Sequence, residues 1–286
     1  MNQHESSELQ VGIIGGGWLG CALATELKRH HDQVIVTTTT LEKQPKLKQQ
    51  GFKCELLSLP DDKKTLNLLD VFKQQQLVIC IPPQLKRGNK HYIENIKTLV
   101  NAANMGNIQQ LILISTTGVY GGLSGKVNEE SHLQITHKKV HTLRLAEEEL
   151  HNFKGNSCII RFAGLVGEDR HPGDFLAGKT QLTNGAAPVN LIHQRDAVGI
   201  IVGLLKSMNR TNDLFVQQKT IVFNGVSSAH PNRKQFYQQA ANALKLTPPQ
   251  FDDKQALTDS KIICAQKIQD TLNYRFVYPD LLAWLT

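Results

Sequence analysis

Short, continuously apolar runs recur along the first two-thirds of the chain, separated by stretches whose apolar residues fall three or four positions apart. Runs of the first kind suit strands buried on both faces, and spacings of the second suit helices with one face on a core. The pattern predicts strands at Val11–Ile14, Gln33–Thr37, Leu77–Ile81, Leu111–Ser115, Cys158–Phe162 and Ile221–Asn224. It predicts helices over Cys21–Arg29, His91–Met105, Leu143–Phe153 and Ala197–Met208, the last with Asp196 as its N-cap. In His91–Met105 the core-facing stripe is Ile93, Ile96, Leu99, Val100 and Ala103. Pro82-Pro83 closes the Leu77–Ile81 run, because proline cannot donate to a ladder or enter a helix interior.

Such alternation implies an α/β fold, a Rossmann-type doubly wound parallel sheet with helices on both faces. After about residue 164 the pattern loosens. The tracts 164–189 and 226–286 are rich in loops and polar helices, and are expected to form a small C-terminal lobe. Residues 9–163, completed by 190–225, form the main body in this reading.

The length of 286 residues allows one large domain or two intimate ones, at about 150 residues each. The longest strongly apolar stretch, Ala197–Leu205, is far short of the ~20 residues that cross a bilayer. The first ten residues are polar, carry Glu5 and Glu8, and do not read as a secretory signal. A soluble, cytoplasmic protein is expected. Five scattered cysteines without a CxxC pair argue against a disulfide framework and a structural zinc site. The 32 Lys+Arg outnumber the 25 Asp+Glu by seven, but the lysines are dispersed and few aromatics lie between them. A nucleic-acid groove would interleave the two, so the charge reads as a solvated surface that also suits an acidic or phosphorylated ligand.

The strongest chemical signal is Gly15, Gly17 and Gly20, a G-x-G-x-x-G between a strand and a helix. Gly15 permits the tight turn, Gly17 lets a pyrophosphate approach the backbone, and Gly20 lets helix and strand pack closely. Trp18 and Leu19 fill the intervening positions and join the cofactor set, Trp18 chiefly as packing against the turn. An NAD site usually carries Asp or Glu ~20 residues further on, at the tip of the second strand. Here Thr37, Thr38, Thr39 and Thr40 stand at that tip, with Glu42 and Lys43 beyond, the lysine as a candidate counter-charge. That arrangement favours NADP, with NAD as the alternative.

Four segments extend the picture: GGGWLG at 15–20, ISTTGVYG at 114–121, RFAGLVG at 161–167 and NLIHQRDAV at 190–198. Together they resemble the extended short-chain dehydrogenase/reductases, the NAD-dependent epimerase/dehydratase family. RHPG at 170–173, FLAGKT at 175–180 and TPPQF at 247–251 make the chain similar to the small bacterial YeeZ-type branch. The resemblance implies a Rossmann-type domain with a small substrate lobe, a small-molecule substrate such as a nucleotide sugar, and a monomer or homodimer. It places the reactive Ser/Thr at Thr116, beside Ser115, with Tyr120 either reaching the substrate pocket or packing beneath the loop.

The family tyrosine and lysine of YxxxK have no counterpart. None of the five tyrosines has lysine four residues later, and the best alignment puts Lys139 and Leu143 at those positions. Losing a general acid/base typically costs about 10²–10⁴-fold in rate. The acidic pair of family dehydratases is replaced by Thr117-Gly118, which argues against dehydration. His137 and His141 share a helical spacing and are candidate substitutes, although a solvated helix face is the simpler reading. By the same resemblance Pro82 and Pro83 line the cofactor groove, and Arg161, Ala163 and Gly164 end a strand near the nicotinamide, Arg161 reading equally as a buried structural ion. His171, Lys179, Asn190 and His193 are assigned to substrate, with Arg195 and Asp196 nearby. The implied function is NAD(P)-dependent hydride transfer, as in an oxidoreductase or sugar-nucleotide epimerase. A non-catalytic dinucleotide-binding sensor is the rival.

Overall fold

A computed structural model describes residues 8–60, 66–85, 88–210, 213–252 and 260–285. Its strands are β1 (Gln10–Ile14), β2 (Gln33–Thr38), β3 (Lys53–Leu56), β4 (Gln76–Ile79), β5 (Gln110–Thr116) and β6 (Gly125–Val127). They continue as β7 (Asn156–Phe162), β8 (Gly164–Val166), β9 (Leu191–His193), β10 (Thr220–Gly225) and β11 (Lys261–Ile263). The α-helices are α1 (Trp18–Arg29), α2 (Lys43–Gln49), α3 (Tyr92–Met105), α4 (Lys138–Glu148), α5 (Gly173–Leu176) and α6 (Gln194–Arg210). Toward the C-terminus lie α7 (Arg233–Ala243), α8 (Gln266–Leu272) and α9 (Leu281–Trp284). Among the described residues no helix is long and apolar enough to cross a membrane.

Two compact units emerge. The first joins Met1–Ser115, Thr142–Ile159 and Ile201–Ile221; the second joins Thr116–His141, Ile160–Ile200 and Val222–Thr286. The first unit is built on a parallel sheet of order β10-β7-β5-β4-β1-β2-β3, whose strands β5, β7 and β10 run on at their carboxyl ends into the second. Val11 stands opposite Val34 on one side and Gln76 on the other. Because β1 has neighbours on both edges and cover on both faces, Val11, Ile13 and Ile14 are almost wholly buried. Gly12 in the middle of that strand has a packing reason: a Cβ there would lie 2.5 Å from the Val71 carbonyl oxygen. The strand order reverses between β1 and β4, and ligands of such sheets bind outside the carboxyl ends at that crevice.

The predicted strands and helices all form, with shifted ends. β4 stops at Ile79, short of the Ile81 that precedes proline. α4 begins at Lys138, five residues before the predicted Leu143, because its first turn is made of exposed Lys and His that look like loop. α6 begins at Gln194, so Asp196 lies inside its first turn and does not act as the predicted N-cap. In α3 the buried stripe includes Tyr92 and Asn95, while Ile93 is only half-buried.

The second unit has a core of its own. Val166, Val189, Leu191, Phe236, Ala240, Leu281 and Leu285 are buried together, with Phe175, Tyr278 and Trp284 packed against them. The tract read as loop from residue 164 contains β8, which pairs in parallel with β9, and β11 pairs in parallel with β6.

Candidate functional site

The glycine turn follows β1 directly. Gly15 has φ +105°, a conformation that side chains rarely adopt. Its N–H donates to Thr37 Oγ1 at 3.1 Å, and the Gly16 N–H donates to the Thr37 carbonyl at 2.6 Å. Thr37, 2% exposed, therefore holds the turn with its hydroxyl rather than presenting it outward. A Cβ on Gly20 would stand 2.1 Å from the Gly15 carbonyl oxygen, so that glycine is required by the helix–turn contact. A Cβ on Gly17 would meet nothing within 4 Å. Among the described residues no contact within the fold requires the absence of a side chain there.

Gly17 is also the N-cap of α1. It supplies no side-chain cap, and the first turn holds no acidic residue to meet the positive end of the helix. Beside it a groove is lined by Gly15, Thr37, Thr38, Thr39, Pro82 and Asn95, among others. Its cavity of about 180 Å³ exceeds by an order of magnitude the ~10–15 Å³ needed for one water. Asn95 is buried, and its Oδ1 has no hydrogen-bond partner among the described residues. The sequence reading missed it, although an amide within an apolar helix stripe was a usable signal. These features fit a dinucleotide: a cradle that a Cβ would fill, an uncapped helix end and an orphaned acceptor.

The other cofactor candidates are distributed unevenly. Thr38 is buried at 4% exposure, whereas Thr39 and Lys43 are exposed. Pro82 is in the groove lining; Pro83 instead offers its carbonyl to Asn89 Nδ2 at 3.1 Å, which shapes the following loop. Leu19 belongs to the buried stripe of α1, and Trp18 is half-buried. Ala163 and Gly164 lie in the second unit, where their N–H groups donate to the Gly225 and Asn190 carbonyls.

At the end of β5, the Ser115 hydroxyl donates to Glu147 Oε1, both residues being buried. Glu147 is buried on α4, and burial of Tyr92, reinforced by the Glu147 charge, pushes that phenol well above its ordinary range. Thr116 Oγ1 accepts the Gly118 N–H at 3.1 Å and so caps the following turn, which leaves its own proton to donate.

Tyr120 is fully buried. Its hydroxyl donates to Asn224 Oδ1 at 2.8 Å and accepts from Arg161 Nη1 at 2.9 Å, and Arg161 also lies over its ring at 5.1 Å. Burial raises the phenol's proton affinity, against the opposing charge of Arg161. Asn224 is fixed in turn, its backbone N–H on Glu129 at 2.7 Å and its Nδ2 on the Cys264 carbonyl at 3.0 Å. We expect Tyr120→Phe to destabilise the protein by about 1–3 kcal/mol, since Arg161 and Asn224 each lose a buried partner. Urea unfolding measures it; an unchanged midpoint would show that the network contributes nothing.

The positions aligned with the family Tyr and Lys are unlike each other: Lys139 is exposed and Leu143 is buried. His137 precedes α4 and accepts the His141 N–H through its carbonyl; both side chains are exposed. Among the described residues no three His, Cys, Asp or Glu side chains form a metal-sized cluster.

The four residues assigned to substrate all fall in the second unit. His171 and His193 meet at Trp284, with ring centroids 5.3 and 4.8 Å from the indole. Lys179 Nζ donates to the Phe175 carbonyl, and Asn190 bridges the Lys261 carbonyl and the Ile263 N–H. Asp196 accepts from Tyr274 Oη, the Val277 N–H and the Tyr278 N–H at 3.0, 2.7 and 2.9 Å, and so fastens the C-terminal segment to α6.

No protein-family model matches the chain. It is 35% identical over 279 residues to protein YeeZ of Escherichia coli K12, covering 96% of this chain and 97% of that one. Its fold is similar to that of the UDP-Glc/GlcNAc 4-epimerase of Campylobacter jejuni, with a TM-score of 0.79 and 16% identity. That match covers 96% of this chain and 97% of the epimerase. MoeE5, solved with UDP-glucose and NAD, matches with a TM-score of 0.73 and 17% identity over 96% of both chains.

Proposed function

The chain belongs to the YeeZ family and has the fold of NAD-dependent epimerase/dehydratase proteins, and from that footing we propose that it binds a nicotinamide dinucleotide at the β1–α1 turn. The observation that carries this reading is Gly17, the one motif glycine whose missing side chain no intramolecular contact requires. First-turn N–H groups of α1 would hold the diphosphate, and Asn95 Oδ1 would accept from a donor in the groove. Thr38 and Thr39 with Lys43, and no carboxylate at that strand tip, favour NADP over NAD. We expect NADPH to bind more tightly than NADH in titration calorimetry. Lys43→Ala should weaken NADPH by about two- to fivefold, an exposed ion pair's worth, and leave NADH unchanged. Equal effects on both coenzymes would remove Lys43 from the 2′-phosphate site.

Bound there, the coenzyme would supply a hydride donor or acceptor. We take Thr116 to polarise the reacting oxygen of a small substrate, because its oxygen is already held by the Gly118 N–H and its proton is available. In this reading residues 9–163 and 190–225 bind the dinucleotide, and 164–189 with 226–286 bind substrate, in a cytoplasmic oxidoreductase or epimerase-like enzyme. The fold neighbour MoeE5, seen with UDP-glucose and NAD, supports a nucleotide sugar as the substrate class. A second reading, a non-catalytic dinucleotide-binding module, draws on the committed hydroxyl of Tyr120 and on Lys139 and Leu143 at the acid/base positions. Turnover across nucleotide sugars and small carbonyl compounds separates the two. Activity that Thr116→Val abolishes supports the enzyme, and tight coenzyme binding with no turnover supports the module.

A further inference from the structure

His193 is fully buried, yet among the described residues its Nε2 has no hydrogen-bond partner. Its Nδ1 accepts the Arg195 N–H at 3.2 Å, so the neutral ring carries its proton on Nε2. The nearest carboxylate oxygen to Nε2, Glu168 Oε2, is 3.6 Å away, beyond a hydrogen bond. The ring itself packs on Tyr278, 4.1 Å between centroids, and meets the Trp284 indole edge-on. Arg195 Nη1 adds a contact to Tyr278 Oη at 3.2 Å.

We propose that His193 is a proton-operated latch on the end of the chain: neutral, it holds Tyr278 and Trp284 of the α9 segment; protonated, it releases them. A second proton must go onto Nδ1, which faces a backbone N–H. Two donors would then oppose each other, the Arg195 bond would be lost, and a charge would sit where water does not reach. The charged groups around the ring are Glu168 after β8, Arg195 and Asp196 in α6, and the Tyr278 hydroxyl; His171 stands on the other side of Trp284. A cation beside aromatic rings gains some attraction. Burial outweighs it together with Glu168 and Asp196, and holds the ring's proton affinity below the ordinary histidine value.

The sign follows. The closed latch keeps the ring neutral, so it is fully fastened above the ordinary histidine range and loosens as pH falls through that range. Release is local, because Asp196 retains its grip on Tyr274 and on the Val277 and Tyr278 N–H groups. Glu168 is exposed, which lets it meet an outward-swinging imidazolium.

A Trp18→Phe background leaves Trp284 as the reporter, since the chain has two tryptophans. Emission maximum, acrylamide quenching and far-UV circular dichroism are followed from about pH 8 to about pH 5. The expected result is a reversible red shift with stronger quenching and unchanged secondary structure. It should vanish in His193→Gln, persist in His171→Gln, and move to lower pH in Glu168→Gln, which lacks the carboxylate that favours the protonated ring. No transition in the background protein, an unaltered one in His193→Gln, or its loss in His171→Gln overturns the latch. If His193→Gln does not fold, the exposed Glu168→Gln decides alone, and an unmoved midpoint rejects the proposal.

Discussion

Replacing Gly17 by alanine is expected to leave the protein folded while removing its affinity for nicotinamide dinucleotides. The backbone there has φ −87° and ψ −163°, which alanine adopts without strain, and the new methyl touches nothing within 4 Å. The cost to stability is the loss of a favourable N-cap glycine, at most about 1 kcal/mol. The cost to binding is larger, because the methyl occupies the space through which a diphosphate reaches the first-turn N–H groups. Overpacking of that kind is worth ~3 kcal/mol, roughly a hundredfold in Kd. Gly20→Ala makes the necessary contrast. Its methyl would lie 2.1 Å from the Gly15 carbonyl oxygen, so helix and turn must separate, with about 2–3 kcal/mol of stability lost along with binding. Calorimetric titration of both variants, alongside urea unfolding, reads the two effects separately. If Gly17→Ala binds NADPH and NADH as the parent does, the seat lies elsewhere.

Asp196→Ala is expected to be among the most damaging single substitutions in the second unit, at about 3–5 kcal/mol. The carboxylate is wholly buried and accepts from one phenol and two backbone N–H groups. Removing it takes the shared acceptor from three part-buried donors at once, against a total stability that in most domains is only about 5–15 kcal/mol. Asp196→Asn retains one acceptor oxygen and should lose about half as much. Tyr274, whose phenol is held protonated by burial and by this carboxylate, lies against Gly199 one turn further along α6. A Cβ there would stand 2.3 Å from Tyr274 Oη, so Gly199→Ala should loosen the same anchor without touching Asp196. Faster proteolysis of the C-terminal segment in both variants would identify the shared cause. Native resistance in Asp196→Ala would mean that the apolar cluster holds the segment unaided.

Legibility in the chain tracked how far away the reason for each residue lies. The inner strands were readable because strands covered on both faces must be apolar at every position, as Val11, Ile13 and Ile14 are. β3 escaped because it is an edge strand with one covered residue in four, KCEL, too short for a period to show. The start of α4 escaped because Lys138, Lys139 and His141 project into water. Asn95 and Glu147 were both hidden within helical segments, where a polar residue on an apolar stripe is visible but its partner is not.

Glycine geometry and apolar period are requirements that adjacent residues satisfy among themselves, so the β1–α1 turn, the α/β alternation and the family could be read from residues in order. Partnerships across the fold carry no such mark. A phenol looks the same whether it meets a substrate or, like Tyr120, is fully engaged by Arg161 and Asn224, 41 and 104 residues away. A carboxylate before an apolar run looks like an N-cap, and Asp196 became a clamp only because the chain returns to it 78 to 82 residues later. Hydrogen bonds of this kind are set by which surfaces come together when the core closes, and that depends on the whole packed chain.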